Sequence, residues 1–349
     1  MTGARAIPPQ RPGRRVTGMS AVLLPFTEDG SVAWDAFAAG VDRTAAAGLV
    51  PAVNMDTGYG PALTPDERRR VLAVTAEALG GRHPVAGWTF VAGAHVDGPG
   101  GSGGPGGHDP GAESLPLDLD GYRTAAAEVA DAGGVPVLFP SAGLAAVPEA
   151  EVAPAHAAVA DAAGRLLAFE LGRQFHPHGR IWPLATYAEV LDVDGVVGAK
   201  HSSLRRDLEW DRLALRDRRR PDFLVLTGND LAIDMVRWGS DYLLGLSAFA
   251  PDAFAARDRL WAAGDARALA VDDALQALGA LAFRDPVPAY RHDAALVWHR
   301  RGWAPSARVH PSGPTRPAGE AAVLATLLAR LDETMAGAEA EAGDRAAPT

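Results

Sequence analysis

The chain has 349 residues, of which 48% are hydrophobic and 22% are charged, and its formal net charge is -10. An acidic chain without a basic face gives nucleic acid phosphates nothing to bind, so we expect no nucleic acid partner. Cysteine is absent, which excludes disulfides, thiolate metal sites and cysteine nucleophiles.

The chain carries no sign of a membrane or secretion segment. No apolar run approaches the roughly 20 residues of a membrane span, and residues 1–15 lack the apolar middle of a secretion signal. We therefore expect a cytoplasmic protein without a membrane partner. Residues 1–16 and 337–349 are rich in small, charged and proline residues, which predicts disorder at both ends.

Eight short apolar runs alternate with helical patterns. Continuous apolar runs are typical of strands buried on both faces, as in a parallel sheet. Eight such strands alternating with helices predict a (β/α)₈ TIM barrel over residues 17–263. The runs are 18–24, 50–55, 89–94, 135–139, 165–170, 195–200, 223–228 and 242–247.

Helix starts are visible between the strands. Ser31 precedes an amphipathic pattern and is a candidate N-cap. Thr64 and Glu67 have the spacing of a capping box, with Pro65 at the first helical position. These residues predict where two barrel helices begin.

Two segments depart from the alternation. Three helical patterns without intervening strands, at 265–284, 288–301 and 317–336, predict a C-terminal helical extension over 264–336. Residues 98–112, after the third apolar run, are too glycine-rich to pack and predict a mobile loop. A phosphate cradle is the alternative for this loop, but no Lys-Ser/Thr pair follows it.

The active site of such a barrel lies at the carboxyl ends of its strands, so polar residues that follow the apolar runs are the candidates. Those candidates are Asn54, Asp56, Thr57, His95, Glu170, Lys200, His201, Ser202, Asn229, Asp230 and Ser247.

Lys200 is the most informative candidate, because it follows a predicted buried strand directly. Desolvation there disfavours the ammonium and makes the amine nucleophilic. Such an amine condenses with a ketone or 2-oxo acid to form a Schiff base. The alternatives are a lysine that leaves the strand for solvent or one that pairs with Glu170.

Several segments resemble one known family. SAVLLPFTEDG resembles its first strand and following turn, DTGYGPALTPDERR its Thr-Thr-Gly-Glu motif and next helix, and GVVGAKHSS the strand that ends in a Schiff-base lysine. VLTGND and WGSDYLLGLSAFAP resemble its seventh and eighth strands. Over residues 17–333 the chain thus resembles the dihydrodipicolinate synthase and N-acetylneuraminate lyase family. The resemblance implies a TIM barrel, an aldolase or lyase activity with Lys200 as nucleophile, and no cofactor.

The substrate-carboxylate motif of that family is altered. Thr57 and Gly58 match its second threonine and its glycine, but Asp56 replaces the first threonine and Tyr59 the glutamate. A carboxylate beside a substrate carboxylate repels it, so we expect a substrate other than the usual pyruvate partner. The strand-four motif, Pro with two tyrosines in the family, is reduced to residues 139–141, Phe-Pro-Ser.

The resemblance implies a proton-relaying tyrosine on strand five, and the alignment places Glu170 there. A buried Glu170 is a candidate general acid/base, and a salt bridge to Lys200 is the alternative. We expect Asp56, Gly58, Arg173, His201, Ser202, Asn229 and Gly245 to bind substrate, and Thr57 to orient it.

Three functions follow from these residues. The first is a Schiff-base aldolase, lyase or hydro-lyase that acts on a 2-oxo acid or related small carbonyl substrate. The second is a metal-dependent barrel with Asp56, His95, Glu170 and His201 as ligands, although no short ligand spacing favours it. The third is a non-catalytic barrel that binds a small molecule. Family habit further implies a homo-oligomer, a dimer or a tetramer.

Overall fold

The structure, a computed structural model, describes residues 7–81, 85–89, 116–176 and 178–346. In this part of the chain eight parallel strands close into a barrel in sequence order, so the predicted TIM barrel is confirmed. The strands are β1 (Gly18–Ala21), β2 (Val50–Val53), β3 (Val85–Thr89), β4 (Gly134–Leu138), β5 (Leu166–Leu171), β6 (Val196–Ser202), β7 (Leu224–Thr227) and β8 (Asp241–Leu244).

The third strand lies earlier than its apolar run predicts. Ala86 of β3 is opposite Ala52 of β2, and Val85 is opposite Gly134 of β4. The predicted run, 89–94, shares only its first residue with β3, and its remainder lies outside the described residues. Pairing with both neighbours fixes the position of a strand, and an apolar run alone does not.

Helices connect the strands on the outside of the barrel. They are α1 (Trp34–Ala46), α2 (Pro65–Leu79), α3 (Leu119–Asp131), α4 (Ala142–Ala146), α5 (Glu149–Ala163), α6 (Leu184–Leu191), α7 (Arg206–Arg219) and α8 (Pro251–Ala262), with a 3-10 helix, Ile233–Trp238, between β7 and β8. The capping box of Thr64 and Glu67 is present as predicted. Ser31 is not the N-cap of α1, because the chain first forms a bridge between Phe26 and Val32.

Alternation along the strands separates two apolar regions. The barrel lumen is filled by side chains such as Met19, Val137, Leu167 and Phe169. The residues between them on the strands, such as Ala168 and Ala199, pack outward against the helices. A residue's position in this alternation decides whether it faces the lumen or the helical layer.

The C-terminal extension consists of α9 (Arg267–Ala282), a short 3-10 helix (Val287–Ala289), α10 (Tyr290–Arg300) and α11 (Glu320–Ala346). The indole Nε1 of Trp298 donates to the carbonyl of Ala248 at 2.8 Å, which joins α10 to the segment after β8. Arg316 forms a buried ion pair with Asp293 at 2.9 Å. The extension therefore packs on the barrel and places the first turn of α10 beside the loops that follow its strands.

Both termini differ from the predicted boundaries. Residues 11–14 bind the barrel: Arg14 pairs with the buried Asp241 at 2.7 Å, and the backbone N–H of Arg11 donates to Arg237 at 2.7 Å. Helix α11 continues ten residues into the predicted disordered tail, because its alanines and glutamates are good helix formers and extending a helix costs little. The composition of the two terminal segments reveals neither that Arg14 has a buried acidic partner nor that residues 337–346 continue helix α11.

Two further observations concern regions singled out above. None of the described helices has the length and apolarity that crossing a bilayer requires. The glycine-rich segment 98–112 lies outside the described residues.

Candidate active site

Lys200 lies near the end of β6 and faces the barrel lumen. Its Nζ is 4.4 Å from the ring centroid of Phe169, its partner in register on β5. A Cβ built on Gly228, at the end of β7, would lie 2.7 Å from Lys200 Cε, so this glycine gives the lysine stem its space. Lys200 is half-buried and forms no ion pair with any residue of the described ranges. Its amine is therefore held at the mouth of the barrel without a carboxylate partner.

Burial lowers the pKa of Lys200 to about 8, while the more distant charges of Asp230 and Asp56 partly oppose that shift. The side-chain amine of a lysine in water has a pKa of about 10.4. At neutral pH the fraction of free amine is therefore far larger than in an ordinary lysine. The sequence prediction of a desolvated amine agrees with this environment.

One signal in the sequence singles out this residue more strongly than its position does. The chain contains 32 arginines and a single lysine, which is Lys200. Every other side chain that carries a permanent positive charge is an arginine. Arginine does not lose its proton in proteins, whereas lysine does when buried.

Glu170 does not lie where the sequence placed it. It is fully buried on the outer face of β5, where Arg212 of α7 binds it through two hydrogen bonds of 2.8 and 3.0 Å. Burial alone would raise the pKa of Glu170, but His201 and Arg212 outweigh it and lower that pKa. Both predictions for Glu170, a general acid/base and a partner of Lys200, are therefore wrong.

The reason is a shift of one residue. Successive side chains of a strand point to opposite faces, and Phe169, not Glu170, occupies the lumen position opposite Lys200. The lumen position of β5 thus carries a phenyl ring without a hydroxyl. As predicted, this position does not carry a tyrosine, but the residue that stands there is Phe169 and not Glu170.

His201 also faces outward, against the prediction that it binds substrate. Its Nδ1 is 2.8 Å from Glu170 Oε2, and its Nε2 is 2.7 Å from the hydroxyl of Ser203. The hydrogen-bonded series of a carboxylate, an imidazole and a hydroxyl has the connectivity of a hydrolytic triad. Glu170 and His201 are, however, buried behind the strands, and Glu170 is already paired with Arg212. We interpret it as a buried network that ties β5 and β6 to α7.

Thr57 and Asp56 follow β2 in a short 3-10 helix (Asp56–Gly58) and meet the first turn of α10. The hydroxyl of Tyr290 is 2.9 Å from Thr57 Oγ1 and 3.0 Å from Asp56 Oδ2. Arg291 Nη1 lies 3.3 Å from Asp56 Oδ1. Tyr290 and Arg291 were not predicted from the sequence, because nothing local to α10 indicates that it reaches the barrel mouth.

Gly58 and Tyr59 complete the altered motif. The N–H of Gly58 donates to Met55 at 3.0 Å, so this glycine is part of the turn. Tyr59 is buried, with φ of 58°, and its ring packs against Phe26 and His310. The position that carries glutamate in the resembling family is thus filled here by a side chain packed under the loop that precedes α11.

Asp230 follows β7 and faces the same mouth. Its Oδ1 accepts a hydrogen bond from the N–H of Leu246 at 2.7 Å, and burial raises its pKa to about 6. Asp230 interacts electrostatically with both Lys200 and Tyr290. We call Asp56, Thr57, Lys200, Asp230 and Tyr290 the mouth cluster.

The remaining predicted binding residues surround this cluster in different ways. Gly245, after β8, packs closely against the cluster, because a Cβ there would lie 3.1 Å from Thr57 Oγ1 and would crowd it. Ser202 shares the lumen face with Lys200 and donates to the carbonyl of Gly228 at 3.2 Å. Asn229 accepts from the N–H of Leu231 at 3.0 Å and so holds its own turn. Arg173 is exposed on the loop after β5.

The ligands of the predicted metal site do not come together. Glu170 and His201 lie behind the strands, whereas Asp56 lies at the mouth, paired with Arg291. Among the described residues no group of three or more acidic or histidine side chains has the arrangement of a metal site. The fourth predicted ligand, His95, lies outside the described residues.

Several solved structures share this architecture over about nine-tenths of the chain. YagE from E. coli K12, a prophage protein of the dihydrodipicolinic acid synthase family in complex with pyruvate, matches with a TM-score of 0.73 and 19% identity, covering 90% of this chain and 98% of its own. The chain has the fold of the dihydrodipicolinate synthase family. The predicted resemblance is therefore confirmed at the level of the fold.

Two more structures agree. The 4-hydroxy-tetrahydrodipicolinate synthase of Methylacidiphilum fumariolicum matches with a TM-score of 0.71 and 16% identity, covering 93% of this chain and 99% of its own. The sialic acid aldolase of Ruminococcus gnavus matches with a TM-score of 0.72 and 13% identity, again covering 93% and 99%. No family model and no curated protein matches the sequence itself.

Proposed function

We propose that this protein is a Schiff-base-forming aldolase, lyase or hydro-lyase, with Lys200 as the nucleophile toward a 2-oxo acid or related small carbonyl compound. The observation that carries the proposal is the environment of Lys200. The only lysine of the chain stands at the barrel mouth, beside a phenyl ring, without an ion-pair partner among the described residues, and with its pKa lowered to about 8.

The first step uses the free amine. Its nitrogen forms a bond to the carbonyl carbon, and the carbonyl oxygen takes up a proton. The nitrogen then gives up one proton while the oxygen takes up a second and leaves as water, and a protonated imine remains, which withdraws electrons from the neighbouring carbon. A carbon–carbon or carbon–oxygen bond next to that carbon can then break, or a proton can leave it.

The proton transfers need a group other than a strand-five tyrosine, since Phe169 occupies that lumen position. Asp230 is our candidate. Burial raises its pKa to about 6, so it exchanges a proton near neutral pH, where general acid/base catalysis is most effective. Its electrostatic interaction with Lys200 supports a position within the same site.

Sodium cyanoborohydride trapping tests this function. The protein is incubated with a panel of small ketones, aldehydes and 2-oxo acids, and adducts are located by peptide mass mapping. We expect a reduced adduct on Lys200 and none on that peptide in Lys200→Met, which keeps a side chain of similar length. The N-terminal α-amine is the internal control, because it is the other primary amine of a chain with one lysine.

A stable wild-type fold with no Lys200 adduct from any carbonyl compound would contradict the proposal. That result would favour the third function, a barrel that binds a small molecule without catalysis. Circular dichroism of both proteins establishes that each is folded.

A further inference from the structure

The hydrogen bonds of the mouth cluster have a fixed direction. Asp56 is paired with Arg291 and its carboxylate accepts hydrogen bonds only. Tyr290, 3.0 Å away, therefore donates its one hydrogen to Asp56 Oδ2. Since that hydrogen is used, the 2.9 Å contact between Tyr290 and Thr57 requires the Thr57 hydroxyl to donate. The chain of donors runs from Thr57 through Tyr290 to Asp56.

This direction decides what Thr57 can offer a ligand. A hydroxyl has one hydrogen and two lone pairs, and the hydrogen of Thr57 is used by Tyr290. Its remaining capacity is that of an acceptor, as is that of the Asp56 carboxylate. The side chains at the positions that match a carboxylate-binding motif therefore present acceptors, whereas a carboxylate ligand requires donors.

The charges near Lys200 also disfavour a ligand that carries a carboxylate. Asp56 and Asp230 are the two charges that influence the pKa of Lys200. Arg291 directs its Nη1 at Asp56, where it lies 3.3 Å from both Oδ1 and the Asp56 carbonyl, and its Nε donates to the carbonyl of Pro288 at 3.1 Å. A ligand carboxylate attached to the carbonyl carbon that reaches Lys200 would approach two carboxylates.

We propose that the carbonyl compound that condenses with Lys200 is uncharged and carries a hydroxyl group next to its carbonyl, as hydroxyketones and hydroxyaldehydes do. Such a hydroxyl donates to Thr57 Oγ1 or to the Asp56 carboxylate, and an uncharged ligand is not repelled by Asp56 and Asp230. This inference rests on the proposed function of Lys200 and narrows its substrate class from small carbonyl compounds, 2-oxo acids included, to neutral hydroxycarbonyl compounds.

The test compares pyruvate with hydroxyacetone, which differ only in a carboxylate replaced by a hydroxymethyl group. Initial rates of the Lys200 adduct are measured by cyanoborohydride trapping at equal concentrations. The ratio of the hydroxyacetone rate to the pyruvate rate is also measured on Nα-acetyl-lysine, whose side-chain amine is free. This second ratio corrects for the intrinsic reactivity of the two ketones. We expect the protein to favour hydroxyacetone at least tenfold over the ratio of the free amine.

The outcomes separate the two proposals. A Lys200 adduct that forms equally well or better with pyruvate overturns the substrate class and leaves the Schiff-base function intact. An adduct with neither ketone, nor with any other carbonyl compound of the panel, overturns both.

A matched pair of variants tests the cause. Asp56→Asn keeps the shape of the side chain but removes its charge and adds a donor, so we expect the preference for hydroxyacetone to fall about tenfold. Asp332→Asn is the control: Asp332 is similarly exposed, 58% against 50%, and is likewise paired with an arginine, Arg301, but on α11. Equal ratios in the two folded variants would contradict the proposal.

Discussion

Lys200 and Phe169 are register partners on neighbouring strands, and the amine of Lys200 lies 4.4 Å from the centre of the Phe169 ring. The ring excludes water from one side of the amine. It also fills the lumen position at which the resembling family carries a proton-relaying tyrosine. The same contact thus contributes to desolvation of the Lys200 amine and places no hydroxyl beside it.

The pH dependence of Lys200 labelling follows from its pKa of about 8. Protonated below that value and free above it, the amine should react with fluorodinitrobenzene about tenfold faster at pH 9 than at pH 7 and then level off, whereas an ordinary lysine keeps rising through about pH 10. Peptide mapping separates Lys200 from the N-terminal amine. Labelling that continues to rise steeply above pH 10 would contradict the lowered pKa.

The same measurement on Asp230→Asn tests the contact between these two groups. The charge of Asp230 raises the pKa of Lys200, so its removal should move the labelling midpoint to lower pH. Asp332→Asn, on α11, should leave the midpoint in place. Identical midpoints in all three proteins would place Asp230 too far from Lys200 to transfer its protons.

Phe169→Tyr should increase the rate of Schiff-base formation. The substitution adds one hydroxyl to a ring that already lies over Lys200, and a positioned acid/base contributes about 10²–10⁴-fold when fully effective. Without an evolved surrounding network we expect roughly tenfold, measured as the initial rate of trapping. Phe169→Leu, which has no hydroxyl, is the control. A rate no higher than that of wild type would show that proton transfer at this position does not limit condensation.

Glu170→Gln should destabilise the fold without altering the chemistry of Lys200. It removes one partner of a buried pair and leaves Arg212 uncompensated, which costs about 3–5 kcal/mol. Glu149→Gln, which affects a carboxylate that is 48% exposed and paired with Arg180, should cost at most about 1 kcal/mol. Urea unfolding measures both. A Glu170→Gln protein that kept wild-type stability but lost Lys200 trapping would contradict this structural role and would favour Glu170 as a general acid/base.

The free energy of unfolding at acidic pH provides a second test of the pair formed by Glu170 and Arg212. In the fold, His201 and Arg212 outweigh burial and lower the pKa of Glu170. The stabilisation that Glu170 provides is therefore fully present above its unfolded pKa of about 4.3 and is lost as the pH falls through the folded value. Glu170→Gln should accordingly lose less free energy of unfolding than wild type when the pH falls below about 4.

The sequence predicted the barrel because its signal is local and repeated. Seven of the eight apolar runs coincide with strands in the structure, and burial on both faces requires such runs in any parallel barrel. The position of Lys200 was predicted for the same reason: it ends a run, and the end of a parallel strand is the mouth. Lys200 is also the only lysine among the 33 lysine and arginine residues of the chain.

Glu170 and His201 could not be placed from the sequence, because one residue of register separates the lumen from the helical layer and an apolar run does not specify that register. Tyr290 and Arg291 lie more than 230 residues from Asp56 along the chain. They reach it because the C-terminal helices pack on the barrel. The sequence by itself determined the barrel and the place of Lys200 at its mouth, whereas only the tertiary structure decided which polar groups surround Lys200, since those contacts arise between elements distant in the chain.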